Sequence, residues 1–406
     1  MSSGEKDSRE QTGEESGKET KKEAKIELIF SGDHYYLHAL EQIQAAKSDI
    51  YLESYIFDLD PVGTRILSAL QAAVQRGVQV RLLVDGVGSF NWLPKLAKEC
   101  QDRKIHFRVY HPIPFGRSFW QQVSWKNILR IIYVFRRLNK RNHRKVLMVD
   151  QETVMLGSFN VSQVHSERMS GRKAWRDTGV LAKNLQQERD LIFLRAAFEE
   201  AWRTSRHFSL TNFRSFLPKK WVTQHQLDSR FRLNNRPNWR RQLLRDMNKK
   251  MKNAKKRIYI TNAYFIPRKS ILRSLRRAAR RGVEVCLLLP EKTDVWFVRE
   301  ASRSLFYRLV TSGVKIYEYQ DRVLHAKTMI IDDWATVGSH NFNHRSIMHD
   351  LEVETLITNP ALIGKLMDQW QKDLRLSHLI TREELGKVSW LRKGLGRVCY
   401  WFRYWI

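Results

Sequence analysis

Two stretches of the sequence carry the same reactive side chains in the same order. Each has a histidine, a lysine two positions later and an aspartate five positions after the lysine: His143, Lys145 and Asp150 in the first, and His325, Lys327 and Asp332 in the second. Each is followed by Gly-Ser-x-Asn, which contributes Ser158 and Asn160 to the first stretch and Ser339 and Asn341 to the second. An imidazole, an ammonium group and neutral hydrogen-bond donors together suit a tetrahedral oxyanion. Because the whole pattern occurs twice, we interpret it as a repeated oxyanion-binding site rather than as two solvated strand ends.

The elements around each motif are also repeated. Each histidine begins a predicted strand, turn and second short strand, and side chains two apart on a strand share a face. Upstream, the sequence predicts strand, helix and strand: 49–57, 64–76 and 78–85 in the first half, and 257–265, a helix ending at 281 and 283–289 in the second. Gly77 and Gly282 stand where such a helix would end in the left-handed conformation. This repeat predicts an α/β fold with two halves, each a mixed, mostly parallel sheet flanked by helices.

The duplicated H-x-K-x4-D motif with its trailing Gly-Ser-x-Asn resembles the phospholipase D superfamily and, in detail, the bacterial cardiolipin synthases. The resemblance extends from about residue 26 to about residue 374. The second copy has one residue fewer than the first between its aspartate and the following glycine, a change that falls in the predicted turn. The resemblance implies that the two halves are homologous and that the active site lies at their interface.

The resemblance also implies how the motif residues share the chemistry. His143 would attack phosphorus and form a phosphohistidine, and His325 would act as acid and base, although spacing alone does not rank the two histidines. Lys145 and Lys327 would neutralise the non-bridging phosphoryl oxygens. The expected hydrogen-bond donors to phosphate are Asn160 and Asn341, with Ser158 and Ser339 as secondary donors. No metal or other cofactor is expected, because the lysines supply the positive charge.

Four acidic residues complete the expected site. A histidine nucleophile is usually held in one tautomer by a carboxylate, and the family places such acids downstream of each motif, which points to Asp177 and Glu352. Asp150 and Asp332 belong to the motif and are counted with the catalytic set. They stand, however, at the far end of the predicted strand, where hydrogen bonds to nearby turns are the favoured role. Of the other polar strand-end residues, Glu53, Tyr55, Asp85 and Asn262 fit packing and ligand binding equally well.

The rest of the chain divides into five segments. We expect a disordered polar tail over 1–25, a first half over 26–205, a linker over 206–239, a second half over 240–380 and a basic aromatic segment over 385–406. The first half is longer than the second by an insert at about 112–142, which mixes aromatic and basic residues. The pattern of this insert is equally consistent with a helix packed on the core and with a segment in the lipid interface.

Charge and composition indicate an anionic partner. The formal net charge is +30, and Trp390, Trp401 and Trp405 accompany arginines and lysines near the C-terminus, which favours a membrane-surface helix over a packed one. No stretch predicts a signal peptide or a spanning helix, so the expected association is peripheral. Three scattered cysteines do not indicate disulfides or zinc and suit a reducing environment.

The resemblance, together with the basic charge and the C-terminal tryptophans, implies a cardiolipin-synthase-like transphosphatidylase on the bacterial inner membrane, and the cysteines favour its cytoplasmic face. The expected partners are an anionic phospholipid membrane, phosphatidylglycerol and, as a second candidate donor, phosphatidylethanolamine. Three alternatives stay open: a phospholipase D hydrolase, a phosphodiesterase nuclease of the same superfamily and a catalytically silent lipid-binding scaffold. The C-terminal tryptophans count against nucleic acid as a partner. The sequence does not indicate an oligomeric state.

Overall fold

The computed structural model describes residues 24–112, 139–185, 189–205 and 229–404. Three predicted segments fall largely outside these ranges: the polar tail over 1–25, the insert over about 112–142, of which 113–138 lies outside, and the linker over 206–239, of which 206–228 lies outside. Within the described residues, no helix has the length and apolar character needed to cross a membrane. Cys100, Cys286 and Cys399 are buried free thiols.

The first half consists of one sheet covered by helices. Its strands are β1 (Lys25–Ile29), β2 (Asp49–Ser54), β3 (Gln79–Asp85), β4 (His106–Tyr110), β5 (Val146–Val149), β6 (Thr153–Gly157) and β7 (Gly179–Lys183). Its helices are α1 (Gly32–Ala45), α2 (Pro61–Gln75), α3 (Leu93–Asp102), α4 (Glu167–Ser170) and α5 (Arg189–Thr204). The seven strands lie in the order β1-β7-β6-β5-β2-β3-β4.

The second half repeats this plan with one additional strand. Its strands are β8 (Phe231–Leu233), β9 (Arg257–Thr261), β10 (Glu284–Pro290), β11 (Lys315–Tyr319), β12 (Thr328–Ile331), β13 (Trp334–Gly338), β14 (Val353–Ile357) and β15 (Ser377–Leu379). Its helices are α6 (Pro237–Asn253), α7 (Lys269–Arg280), α8 (Trp296–Arg303), α9 (Phe306–Val310), α10 (His344–Met348), α11 (Pro360–Arg375), α12 (Arg382–Lys387) and α13 (Trp390–Trp401). The order of the eight strands is β15-β11-β10-β9-β12-β13-β14-β8.

Both sheets are mixed, and the prediction of two α/β halves is confirmed. The parallel part comprises β2-β3-β4 and β9-β10-β11, whose strands are joined by helices. The motif strands form antiparallel hairpins instead, β5 with β6 and β12 with β13, because a short turn can join only antiparallel neighbours. The parallel arrangement is therefore confined to the strand-helix-strand units.

Two of the helices that link parallel strands, α2 and α7, end at matching glycines. In α2 the Asp60 side chain accepts a hydrogen bond from the Gly63 N–H, and Pro61 occupies the first turn. Gly77, just after α2, has φ of 89°, and Gly282, just after α7, has φ of 88°. These left-handed residues turn the chain back into β3 and β10, as the sequence predicts.

Shared apolar clusters join the two halves. One cluster contains Tyr51 and Leu83 of the first half together with Leu351 and Val353 of the second. A separate cluster packs Leu28 of β1 with residues of the second sheet. The predicted linker is shorter than expected, because Phe231–Leu233 pairs with β14 at the edge of the second sheet and α6 begins at Pro237. Hydrogen bonding to the sheet edge orders these residues.

Candidate active site

Each motif histidine is attached to a segment of the other half. Asn142 and Leu351 form a parallel bridge, in which the His143 N–H donates to the Leu351 carbonyl at 3.0 Å. A second parallel bridge joins Arg176 to Leu324, with the His325 N–H donating to the Arg176 carbonyl at 2.8 Å. These two bridges bring both motifs to the interface between the halves.

The bridges also place the two orienting acids, and they do so crosswise. Glu352 follows Leu351 and reaches the first-half histidine, with His143 Nδ1 at 3.1 Å from its carboxylate. Asp177 follows Arg176 and reaches the second-half histidine, with His325 Nδ1 at 2.7 Å. Because a carboxylate is an acceptor, each Nδ1 carries the proton and each Nε2 keeps its lone pair. The structure thus pairs each histidine with the acid of the other half.

A third histidine joins this arrangement without having been predicted. His165 Nδ1 lies 2.7 Å from the second oxygen of Asp177, so this carboxylate accepts from two imidazoles. The Nε2 of His165 accepts from the Asn160 N–H at 3.2 Å, which fixes its tautomer. The sequence offered only a weak signal, since His165 lies in a short 3₁₀ helix, Gln163–His165, outside either motif. The three side chains are close enough to hold a metal ion, but the N–H···O hydrogen bonds account for their approach.

The two motif lysines are buried beside the histidines. Lys145 Nζ donates to the His143 carbonyl at 2.7 Å, and Lys327 Nζ donates to the His325 carbonyl at 2.5 Å. Burial lowers the pKa of Lys145 to about 7. Burial also lowers the pKa of Lys327 well below its ordinary value. Ammonium groups that burial disfavours gain most from an incoming anion, so the surroundings of the two lysines are electrostatically prepared for phosphate.

Burial also keeps both catalytic candidates neutral. Burial, with Lys145 and Lys327, lowers the pKa of His143 well below its ordinary value. Burial and Lys327 lower the pKa of His325 against the opposing effect of Asp177. Neutral imidazoles with their Nδ1 protons fixed are suited to nucleophilic attack and to proton transfer at Nε2.

The two acids differ in their electrostatic state. Burial raises the pKa of Asp177, but His325 and His165 lower it by more, so the pKa lies well below the ordinary value. Burial raises the pKa of Glu352 overall, against the lowering effect of His340 and Lys145. Asp177 therefore holds its negative charge more firmly than Glu352 does.

The asparagines and serines of the motifs occupy different environments. Asn160 Oδ1 accepts from the Ile56 N–H at 3.2 Å, which leaves its amide NH₂ to donate. Asn341 Oδ1 is buried and has no hydrogen-bond partner in the described part of the chain, so this oxygen can accept from a hydroxyl group of the substrate. The Ser158 hydroxyl donates to the Thr178 carbonyl, whereas the Ser339 hydroxyl donates to Glu352 at 2.5 Å. The phosphate-donor role predicted for both serines does not fit this arrangement, because their hydroxyl protons are already engaged.

The motif aspartates lie at turns, away from the histidine end of their strands. Asp150 accepts from the N–H groups of Lys47, Ser48 and Asp49 at 2.7–3.1 Å. Asp332 accepts from three consecutive N–H groups, those of residues 255–257, each at 2.9 Å. Their inclusion in the catalytic set does not fit this geometry, because the backbone occupies both carboxylates.

Aromatic rings and buried ion pairs complete the walls of the site. The Tyr55 ring lies 4.9 Å from the His143 ring and 5.1 Å from Lys145 Nζ. Asp85 binds Arg141 at 2.8 Å, and Glu53 binds Arg144 at 2.8 Å, which fixes the chain on both sides of His143. In the second half, Asn262 Oδ1 accepts from the N–H groups of Tyr264 and Phe342. Of the four strand-end residues with open roles, Glu53, Asp85 and Asn262 support the chain, and Tyr55 contacts the nucleophile candidate.

The comparisons with known proteins agree with the motif and fold. Residues 39–168 and 247–374 match the family described as "Cardiolipin synthase, PLD-like domain", and the chain belongs to that family. Membership makes it a phosphatidyltransferase, an enzyme of phospholipid biosynthesis.

The similarity to known relatives and to a solved structure extends over most of the chain. The chain is 32% identical to cardiolipin synthase 1 of Staphylococcus epidermidis over 89% of its own length and 70% of the relative. It is 33% identical to cardiolipin synthase B of Escherichia coli over 82% of its own length and 76% of the relative. The crystal structure of a Haemophilus influenzae phosphatidylserine synthase shares the fold, with a TM-score of 0.63, 14% identity, and coverage of 93% of this chain and 92% of that one.

Proposed function

We propose that the enzyme transfers a phosphatidyl group from one phosphatidylglycerol to a hydroxyl of a second, releasing glycerol and forming cardiolipin. The observation that carries this proposal is the crossed arrangement of two neutral histidines, each with Nδ1–H fixed on a carboxylate of the other half. The names of the relatives, which are cardiolipin synthases, support the substrate class. Phosphatidylethanolamine is a second candidate donor.

In the first step, His143 Nε2 attacks phosphorus and the bond from phosphorus to the glycerol oxygen breaks. Lys145 and Lys327 neutralise the charge on the non-bridging oxygens, and the bound anion in turn favours the protonated form of His325. His325 gives its proton to the leaving alkoxide, and glycerol departs. The product of this step is a phosphatidyl group on His143.

In the second step, His325 accepts the proton of an incoming phosphatidylglycerol hydroxyl. The new oxygen–phosphorus bond forms, the nitrogen–phosphorus bond breaks, and His143 returns to its neutral state. Asp177 supports this cycle because an ionised carboxylate stabilises the imidazolium that His325 forms transiently. Glu352 mainly holds His143 in the tautomer that attacks.

We also propose where the reaction takes place. The surplus of 72 basic over 42 acidic residues suits an anionic phospholipid membrane. We assign the enzyme to the surface of the bacterial inner membrane on its cytoplasmic face, which the buried free thiols favour.

Mass analysis of the products from pure phosphatidylglycerol vesicles tests the proposed reaction. Cardiolipin and glycerol are expected in equal amounts. Phosphatidic acid with glycerol would mean that water is the acceptor, and the hydrolase alternative would replace the proposal. The matched control is the His143→Ala protein, which should form neither product.

A further inference from the structure

Helices α8 and α13 present an apolar stripe on the surface of the second half. In α13 the exposed positions 390, 391, 395, 398 and 401 recur at helical spacing and therefore share one face. Trp390 is 78% exposed and Trp401 is 76% exposed, and Trp296 of α8 is 63% exposed. Contiguous exposed apolar surface of this kind marks an interaction site.

The opposite face of α13 is fixed to α8, so the stripe has a defined direction. A Cβ at Gly396 would lie 2.8 Å from the Glu300 carbonyl oxygen, which shows how closely the helices approach. Arg392 binds the Glu300 carboxylate through two nitrogens, at 2.8 and 3.0 Å. Cys399 is buried in a cluster with Val298 and Ala301 of α8. The tryptophans are therefore held outward by a packed helix pair.

A basic pocket opens at the C-terminal end of the same stripe. Its volume is about 460 Å³, and its polar lining includes four cationic side chains, those of Arg268, Lys269, Arg273 and Arg403. No aspartate or glutamate is among the described residues that line it. Burial is the main cause that lowers the pKa of His344, a further lining residue, and the charges of Arg268 and Arg403 add smaller contributions in the same direction. The exposed residues Trp401 and Phe402 lie between Tyr400 and Arg403, two residues that line the pocket.

This surface adjoins the active site through Tyr264. The Tyr264 ring lies 6.4 Å from the His325 ring, and its hydroxyl donates to Asp294, two residues before Trp296. Tyr264 also packs against the buried cluster of Val298 and Cys399 that holds α13 on α8. A lipid surface resting on this helix pair would therefore lie on the His325 side of the active site.

We propose that the α8–α13 stripe and the basic pocket dock the enzyme on an anionic phospholipid bilayer, with the pocket holding a lipid phosphate distinct from the reacting one. Tryptophan favours the bilayer interface, and lysine and arginine favour anionic headgroups. Nucleic acid would engage the cations without requiring the exposed stripe. The proposal deepens the proposed function by assigning the surface that meets the membrane, and it rests on that function only for the identity of the membrane lipids.

Vesicle flotation with the full chain tests this docking surface. The vesicles are phosphatidylcholine alone or phosphatidylcholine mixed with phosphatidylglycerol, and the mixed vesicles should bind the parent protein more tightly. Two double variants address the two parts: Trp390→Ala with Trp401→Ala, and Lys269→Glu with Arg273→Glu. We expect each to weaken binding to the mixed vesicles about tenfold or more. The matched charge control is Lys95→Glu with Lys98→Glu, on an exposed face of α3 in the first half, which should bind like the parent.

Two results would overturn the proposal. One is an equal loss of binding in the α3 control, which would mean that net charge alone determines vesicle binding. The other is an α13 variant that binds vesicles normally but loses self-association in light scattering, which would assign the stripe to a second copy of this chain. The inactive His143→Ala protein is expected to float with vesicles like the parent. Loss of catalysis and loss of docking are therefore separate results.

Discussion

The two half-sites match in their motifs but differ in the carboxylate that each histidine contacts and in the groups that bind this carboxylate. Behind His143 stands Glu352, which also accepts from the hydroxyls of Ser339 and Ser346. Behind His325 stands Asp177, which also accepts from His165. The pKa of Glu352 is raised, whereas that of Asp177 lies well below its ordinary value. Duplicated strands thus carry equivalent nucleophile candidates in unequal electrostatic surroundings.

This difference teaches how a repeated motif can divide one reaction. An acid–base histidine becomes cationic during each turnover, so it benefits from a carboxylate that stays ionised. A nucleophilic histidine must stay neutral and needs chiefly a fixed tautomer. The surroundings of His325 fit the first requirement, and those of His143 fit the second. The asymmetry comes from the acids and their hydrogen-bond donors, because the H-x-K strands themselves are alike.

The largest predicted difference concerns the two acids. Asp177→Asn should lower kcat by about 10³- to 10⁴-fold, because His325 loses its ionised partner and its fixed tautomer. Glu352→Gln should lower kcat by about 10²-fold, since mainly the orientation of His143 is lost. Steady-state kinetics on phosphatidylglycerol would measure both. Equal losses in these isosteric variants would remove the proposed division of labour.

Variants of the residues that hydrogen-bond to the two acids should show the same order of kcat losses, with smaller values. His165→Gln removes one of the two imidazoles on Asp177, and we expect kcat to fall by about 10- to 100-fold. The matched variant in the other half is Ser346→Ala, which removes a 2.6 Å hydrogen bond to Glu352 and should cost less. A structural role alone would lower the yield of folded protein without moving the pH profile. His165→Gln should instead shift the part of the pH profile of kcat that reflects protonation of His325, and an unshifted profile would contradict the positioning role of His165.

The lysines provide a pH test of the first half-site. Lys145 must be protonated to neutralise phosphate, and its lowered pKa of about 7 means that protonation declines as pH rises through that value. The expected result is a kcat/KM that falls by about tenfold per unit above pH 7. The kcat limb should lie at higher pH because bound phosphate favours the ammonium form. Lys145→Arg should flatten or shift this limb, because arginine stays charged throughout the range; a limb that is unchanged in Lys145→Arg would assign it to another group.

The sequence predicted the two halves, and it pointed to the motif residues and to the two acids that lie against the motif histidines. The glycines after α2 and α7 were predictable because helix ends have local signatures. The crossing of the acids was not, because it depends on bridges between residues more than a hundred positions apart. The role of His165 was missed for the same reason, since it becomes visible only once Asp177 reaches His325. The basic pocket combines residues 244, 266–270, 273, 344, 400 and 403, which no sequence window joins.

The motif aspartates, Asp150 and Asp332, should contribute equally to the stability of their two halves. Asp150→Asn and Asp332→Asn should each lower the free energy of unfolding by about 1–2 kcal/mol, through weakened hydrogen bonds to backbone N–H groups. Burial raises the pKa of Asp150, but the N–H groups of Ser48, Lys47 and Asp49 lower it by more. This stabilisation is therefore present above the ordinary value of 3.8 and is lost as pH falls through the lowered pKa. Denaturant unfolding at pH 7 measures the free energy of unfolding of both variants. A large loss of kcat without loss of stability would return these acids to the catalytic set.

The central claim is that His143 carries the phosphatidyl group and His325 transfers protons. The most direct test is rapid quenching of the enzyme during turnover, under conditions that preserve phosphohistidine, followed by peptide mass analysis. We predict that the adduct lies on His143 in the parent protein and that none forms in His143→Ala. His325→Ala should still form it from a donor whose leaving group needs no proton. An adduct on His325 in the parent protein would contradict the claim and reverse the assignment of the two half-sites.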